Sequence, residues 1–204
     1  MKPENYKLSK EEADRVMAIS GHCKGLVIMA NLDYTRAKGE DKAVRQIESR
    51  LEELGYPLKL NQIKPMESYP DAISVLIILL IKEILYLNDR EIFEMGGAAI
   101  RLSPFIKIIS RYFAPLEMIF NQAPKNWKKY FDFGRPEIAE YNKDKKYVVV
   151  RIHDYKLHPV TCLYHTGYFA EVARMSTGKK KIEAKETKCM HKGDPYHEYF
   201  ISWK

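Results

Sequence analysis

Cysteine is scarce: three residues in a chain of 204. That is an odd number and too few for a disulfide scaffold, so the thiols read as core filler or metal ligands in a reducing compartment. No apolar run reaches the roughly 20 residues that a membrane span needs. The longest, Ala72 to Ile81, is interrupted by Ser74 and closed by Lys82 and Glu83. The opening MKPENYKLSKEEADR lacks the apolar core of a signal peptide. Together these features predict a cytoplasmic protein with no membrane span. Internal repeats and low-complexity linkers are absent, as are a glycine-rich phosphate loop, a nucleophile elbow and a His-Glu-x-x-His metal motif, which leaves catalysis with little support. An excess of acid is also missing, since the net charge is +7. The lysines are spread along the chain beside Glu or Asp, and only Lys179-Lys180-Lys181 forms a run. This pattern predicts a solvated surface rather than a specific nucleic-acid footprint.

What is present describes one globular domain over residues 1–204. Hydrophobic residues make up 46% and charged residues 30%, which excludes disorder along the whole chain. Aromatics reach 12%, enough to line an internal site with rings. Ser9-Lys10-Glu11-Glu12 is a capping box that opens a short helix. Leu26, Val27, Ala30 and Tyr34 recur at helical spacing up to Gly39, and Val44, Ile47, Leu51 and Leu54 repeat the pattern up to Gly55-Tyr56-Pro57. Ser68-Tyr69-Pro70-Asp71 starts the most apolar helix, and Asn88-Asp89 caps the next. Ser103-Pro104 opens another, followed by two shorter pieces around Phe120 and Trp127. At Gly134-Arg135-Pro136 the character changes. Two strands flank Asn142-Lys143-Asp144, a helix runs from about Val160 to Met175 with Gly167 and Ala170 allowing close packing on the sheet, and a second hairpin turns at 191–195. The predicted class is α+β: a helical lobe over 1–133 packed on a C-terminal four-stranded antiparallel sheet over 134–204, ordered strand-strand-helix-strand-strand.

Chemistry concentrates in the second hairpin. Cys189 and His197 flank its turn, where donor atoms on facing strands can meet at one metal ion. Glu186 is three residues before Cys189, so strict alternation would put the two on opposite faces unless the strand bulges near Thr187-Lys188. Cys162 lies in the first turn of the helix that must pack on this sheet. Cys162, Glu186, Cys189 and His197 make a Cys₂HisGlu set suited to a closed tetrahedral zinc site. His165, one helical turn after Cys162, and His191, in the hairpin turn, are the substitutes for Glu186.

The run Cys162-Leu-Tyr-His-Thr-Gly167-Tyr168, then Gly178, Glu186-x-x-Cys189, Gly193-Asp194 and His197-x-Tyr-Phe resembles the 4-vinyl reductase-like, or hydrocarbon-binding, domain. In that pattern the last ligand is a Cys, and His197 stands in its place here. The resemblance implies zinc at these four positions. Gly25, Gly39-Glu40, Leu54-Gly55, Tyr69-Pro70, Glu94-Met-Gly96 and Arg111-Tyr-Phe113 are similar to an uncharacterised paralogous family best known from myxobacteria. Both families are similar in fold to haem nitric-oxide-binding domains and to the channel-bearing subunits of vesicle-tethering complexes, which implies an apolar cavity between helices and sheet. The haem branch requires a proximal His in the helical lobe and a Tyr-x-Ser-x-Arg motif. This chain has no His between His22 and His153 and no such motif, so haem is not expected.

Tyr112, Phe113, Phe120, Trp127, Phe131, Tyr164, Tyr168 and Phe169 are the candidates to line that cavity. The function the resemblance implies is a ligand-binding or sensory domain for a small apolar, aromatic or lipid-like molecule, with structural zinc and an output through a second copy of the chain or another protein. The alternatives are an assembly subunit with a static lipid and, further off, a reductase-type enzyme. The word reductase in the family name is not carried over as an activity.

Overall fold

The computed structural model describes residues 6–102 and 122–204. Its centre is the helix with no polar stripe: every residue from Asp71 to Ile81 is buried within α3 (Asp71–Ile84), as expected for a helix that is apolar on all sides. Against it pack α1 (Lys10–Met17) and α2 (Gly25–Glu53), and α4 (Asp89–Leu102) packs on α2. Ser9 Oγ accepts from the Glu12 amide, 3.1 Å away, and caps α1. The Glu12 carboxylate does not reach back to Ser9 but bonds His158 Nε2 at 3.1 Å, tying α1 to the second lobe. At α4 the reciprocal box does form: Asn88 Oδ1 accepts from the Glu91 amide, and the Glu91 carboxylate accepts from the Asn88 amide.

The two helices read on either side of Gly39 are both present: they meet at a kink within α2, where Glu40 takes a non-helical conformation (φ 55°, ψ −170°). That conformation belongs to glycine, and a residue with a Cβ held there costs on the order of 1–3 kcal/mol. Glu40 is exposed, so its side chain gains nothing from burial. Glu40→Gly is expected to stabilise the protein by about 1 kcal/mol, net of the looser unfolded chain. Denaturant unfolding checks this, and a loss of stability would contradict it.

Ser68–Pro70, read as a helix start, is a strand, β2, paired antiparallel with β1 (His22–Lys24). Three-residue strands carry too little alternation to be read locally, and this pair exists because α2 and α3 leave side by side. The expected helix from Ser103, with Tyr112 and Phe113, and the piece holding Phe120 lie outside the described residues. The Trp127 piece is α5 (Ala123–Tyr130).

The second lobe follows the expected order: β3 (Arg135–Asn142), β4 (Tyr147–His153), α6 (Val160–Thr177), β5 (Ile182–Lys188) and β6 (His197–Trp203). The antiparallel sheet runs β3-β4-β6-β5. Val148, Val150 and Ile152 of β4 and His197, Tyr199, Ile201 and Trp203 of β6 share one face of the sheet and are buried, with α6 packed on β5 and β6. Pro136 sits in edge strand β3, where a missing donor is tolerated. Lys179, Lys180 and Lys181 are exposed ahead of β5, as a solvated run should be.

Gly167 does allow a close approach, but to α4 rather than to the sheet. A Cβ on Gly167 would lie 1.8 Å from the Phe93 carbonyl oxygen, and one on Gly96 would lie 1.9 Å from that of Tyr164. Each helix presses its backbone into the other's glycine, and this reciprocal contact joins the two lobes.

Candidate metal centre and the aromatic layer beside it

Three elements deliver four donors to one point. Cys162 rides in the first turn of α6, where Pro159 and His158 set the helix entry through their carbonyls. Glu186 comes from β5, Cys189 from just beyond it, and His197 from the first position of β6. The alternation problem is resolved by the backbone: pairing of β5 with β6 slips between Glu186 and Lys188, and this bulge at Thr187 turns Glu186 and Cys189 to the same side. After Cys189 a short 3₁₀ turn leads to Gly193, at φ 96°. Asp194 accepts from the Cys189 amide at 2.7 Å and closes the loop.

The ligand atoms of Cys162, Glu186, Cys189 and His197 all lie within 4.8 Å of one another. The sulfurs are 3.6 Å apart, and Cys162 Sγ is 3.8 Å from His197 Nδ1. Tetrahedral zinc with bonds of about 2.3 Å to sulfur would separate two thiolates by about 3.8 Å, so these spacings suit such an ion. Glu186 Oε1 is 2.9 Å from His197 Nδ1, a hydrogen-bond distance that zinc would open slightly. The backbone carbonyl of Tyr155 lies 3.2 Å from His197 Nε2. When an ion takes the place of the hydrogen between Nδ1 and Glu186, donation to this carbonyl keeps the proton on Nε2 and leaves Nδ1 to ligate.

The electrostatics also call for a cation. Burial, and then the charges of Glu186 and Cys189, push the Cys162 thiol far above its usual range. Burial pushes the Glu186 carboxyl up as well, but the hydrogen bond from His197, with smaller help from the thiols, outweighs it and holds the group low. Two thiols and a carboxylate share this space with no Lys or Arg bonded to them among the described residues; a divalent ion would reverse the penalty on the thiolates. His191 stays outside the four-donor group, its ring 5.5 Å from that of His197 and its Nε2 buried without a partner. Burial, and then the nearby His197 charge, hold it down to about 4.

Of the ring candidates, Trp127 and Phe131 stack at 4.3 Å. Tyr164 instead turns toward the helical lobe, where its hydroxyl donates to Asn31 Oδ1 at 2.9 Å, while Phe169 packs on Tyr199 of the sheet at 5.2 Å. Tyr168 meets Phe169 edge-on at 5.6 Å. The expected cavity rings are thus divided between two faces of α6. At their centre is His165, which the sequence offered only as a substitute metal ligand and which stays outside the four-donor group. Its ring lies 5.3–6.4 Å from those of Trp127, Tyr155, Tyr164, Phe169 and Tyr199. Burial, and then the charge of His197, hold its imidazole down to about 3. The available signal was position: His165 is one turn from Cys162 and one turn before Phe169, on the side of α6 that faces the sheet.

No protein family and no curated protein matches the chain by sequence. Solved structures do match. An H-NOX protein from S. oneidensis in the Fe(II)NO state superposes with a TM-score of 0.67 at 16% identity, over 89% of this chain and 99% of that one. An oxygen-binding H-NOX domain related to soluble guanylate cyclases, as its oxygen complex, gives 0.62 at 13% identity, over 89% and 95%. A structure described for haem redox potential and porphyrin distortion gives 0.63 at 13% identity, over 88% and 99%. The chain has the H-NOX fold.

This finding overturns the exclusion of haem. That exclusion rested on a missing histidine in the helical lobe and a missing Tyr-x-Ser-x-Arg motif, whereas structures of the same fold are described by their haem. Among the described residues no helix is long and apolar enough to cross a membrane.

Proposed function

We propose that the chain is a small-ligand-binding or sensory domain with a structural zinc centre that pins α6 to the β5–β6 hairpin. The observation that carries the metal reading is the convergence of Cys162, Glu186, Cys189 and His197 within 4.8 Å, with Glu186 partly and the other three fully buried. The Cys-to-His segment over 162–203, similar to 4-vinyl reductase-like domains, supports it. Four protein donors leave no open coordination position, so zinc here braces the fold and catalyses nothing. The H-NOX-like fold and the aromatic layer around His165 support an apolar or planar ligand between helices and sheet, haem included. Ligand binding favours one packing of the lobes, and the shift is read by another protein or a second copy.

The experiment is a native mass spectrum and an absorption spectrum of freshly prepared protein. A retained organic molecule supports the reading, and a Soret band would name it as haem, with His165→Ala the first variant in which to look for a shifted band. Trp127, half-buried over Tyr155, is the aromatic test. Trp127→Ala is expected to weaken binding of the retained molecule at least about tenfold while costing less than the roughly 3–5 kcal/mol of a core tryptophan. Full-sized destabilisation with unchanged affinity would reduce Trp127 to packing. Exchange of the bound molecule on dilution separates a sensor from an assembly subunit holding a static lipid.

A further inference from the structure

Tyr155 lies in the loop between β4 and α6, in neither element and in no motif. The chain reaches it through Asp154, which is held at φ 56°, a conformation that Asp tolerates better than most residues. Its three parts meet three different structures. The backbone carbonyl faces His197 Nε2 in the metal cluster at 3.2 Å. The hydroxyl donates to Asp71 Oδ2 at 2.8 Å, at the first residue of the central helix α3. The ring stacks on Phe133 at 4.9 Å and lies against Trp127 and His165, each at 5.3 Å. Asp71 is fully buried and is also bonded by the Ser74 hydroxyl, so its carboxylate is a fixed point rather than a mobile acceptor.

We propose that Tyr155 is the positioning residue of the metal centre and that it couples metal occupancy to the packing of the helical lobe. The carbonyl selects the His197 tautomer that ligates through Nδ1. The hydroxyl anchors that carbonyl to α3, so any shift of the lobes moves the acceptor that aims His197. By reciprocity, filling or emptying the centre must bias the lobes by the same free energy. The inference rests on the reading that the cluster holds zinc, and it goes beyond it by giving the centre a listener.

The test uses the full chain and zinc alone, with a chromophoric chelator as competitor. Loss of a partner that orients a ligating His typically costs 10–100-fold in metal affinity. Tyr155→Phe deletes only the anchoring hydroxyl, so a loss near the lower end, about tenfold, is expected. Ser74→Ala removes a different bond to the same Asp71 carboxylate and should leave zinc affinity within about twofold, which controls for general loosening of the core. Wild-type affinity in Tyr155→Phe overturns the proposal, as does an equal loss in both variants. If Tyr155→Phe does not fold, the reverse direction decides: in a Trp203→Phe background, stripping zinc should shift the emission of Trp127, and an unchanged spectrum overturns the coupling. A wild-type protein that binds no zinc sinks the metal reading itself, whereas zinc bound with no sensitivity to Tyr155 sinks this inference alone.

Discussion

Gly167→Ala is expected to lower the melting temperature by roughly 6–12 °C, taking about 3 kcal/mol of lost stability and about 2–4 °C per kcal/mol for a domain of this size. The sign is informative because the local effect runs the other way. In an open helix interior, Gly→Ala stabilises by about 1 kcal/mol. Here the new methyl would sit 1.8 Å from the Phe93 carbonyl oxygen. The obstacle is backbone, so no side chain can rotate away and the α4–α6 crossing must open. Gly96→Ala meets the Tyr164 carbonyl in the same manner and should behave alike. Gly97→Ala is the control: its methyl would find nothing nearer than Arg101 Nη1 at 3.2 Å, the end of a flexible chain. Its effect should stay within about 1 kcal/mol. Calorimetry on the three variants checks this, and a Gly167→Ala protein as stable as Gly97→Ala would mean that the helices are farther apart than described.

Cys189→Ser should remove essentially all bound zinc, taking freshly prepared protein from about one ion per chain to less than about a tenth. Serine's oxygen remains protonated where the thiol would ligate as thiolate, and three donors do not close a tetrahedral site. Cys162→Ser should match it, since the two sulfurs occupy adjacent corners 3.6 Å apart. Chelation of wild type should lower its melting temperature to that of Cys189→Ser and should not lower the variant's further. Metal analysis alongside the melts is the check. Equal zinc in wild type and Cys189→Ser would remove the centre from this reading and take the proposed role of Tyr155 with it.

The parts of this fold that were legible share a property: their signal is local. The buried helix from Asp71, the caps at Ser9 and Asn88 and the two hairpins each declare themselves within a dozen residues. Even the bulge at Thr187 was implied, because Glu186 and Cys189 could meet only through one. What escaped depends on partners far along the chain. The β1–β2 pairing joins residues such as Cys23 and Tyr69, and the glycine of α6 finds its counterpart in α4. Tyr155 acts on His197 through a carbonyl that every residue possesses, so no sequence feature could single it out. The haem exclusion failed for the complementary reason: it argued from a missing histidine and a missing motif, while the likeness to the haem-described structures lies in the backbone as a whole.

The order β3-β4-β6-β5 has a kinetic consequence. Each hairpin can zip from its own turn, but the central seam joins Ile152 to His197, with all of α6 and β5 threaded between them. Closing so long a loop costs entropy before any seam contact repays it, which makes non-local strand pairing the slow event in assembly. All four donors, from Cys162 to His197, lie inside the stretch that this loop spans. The centre can therefore assemble from α6 and its hairpin before the seam forms, and an ion captured there shortens the loop and acts as a seed for the slow step rather than as a latch on it.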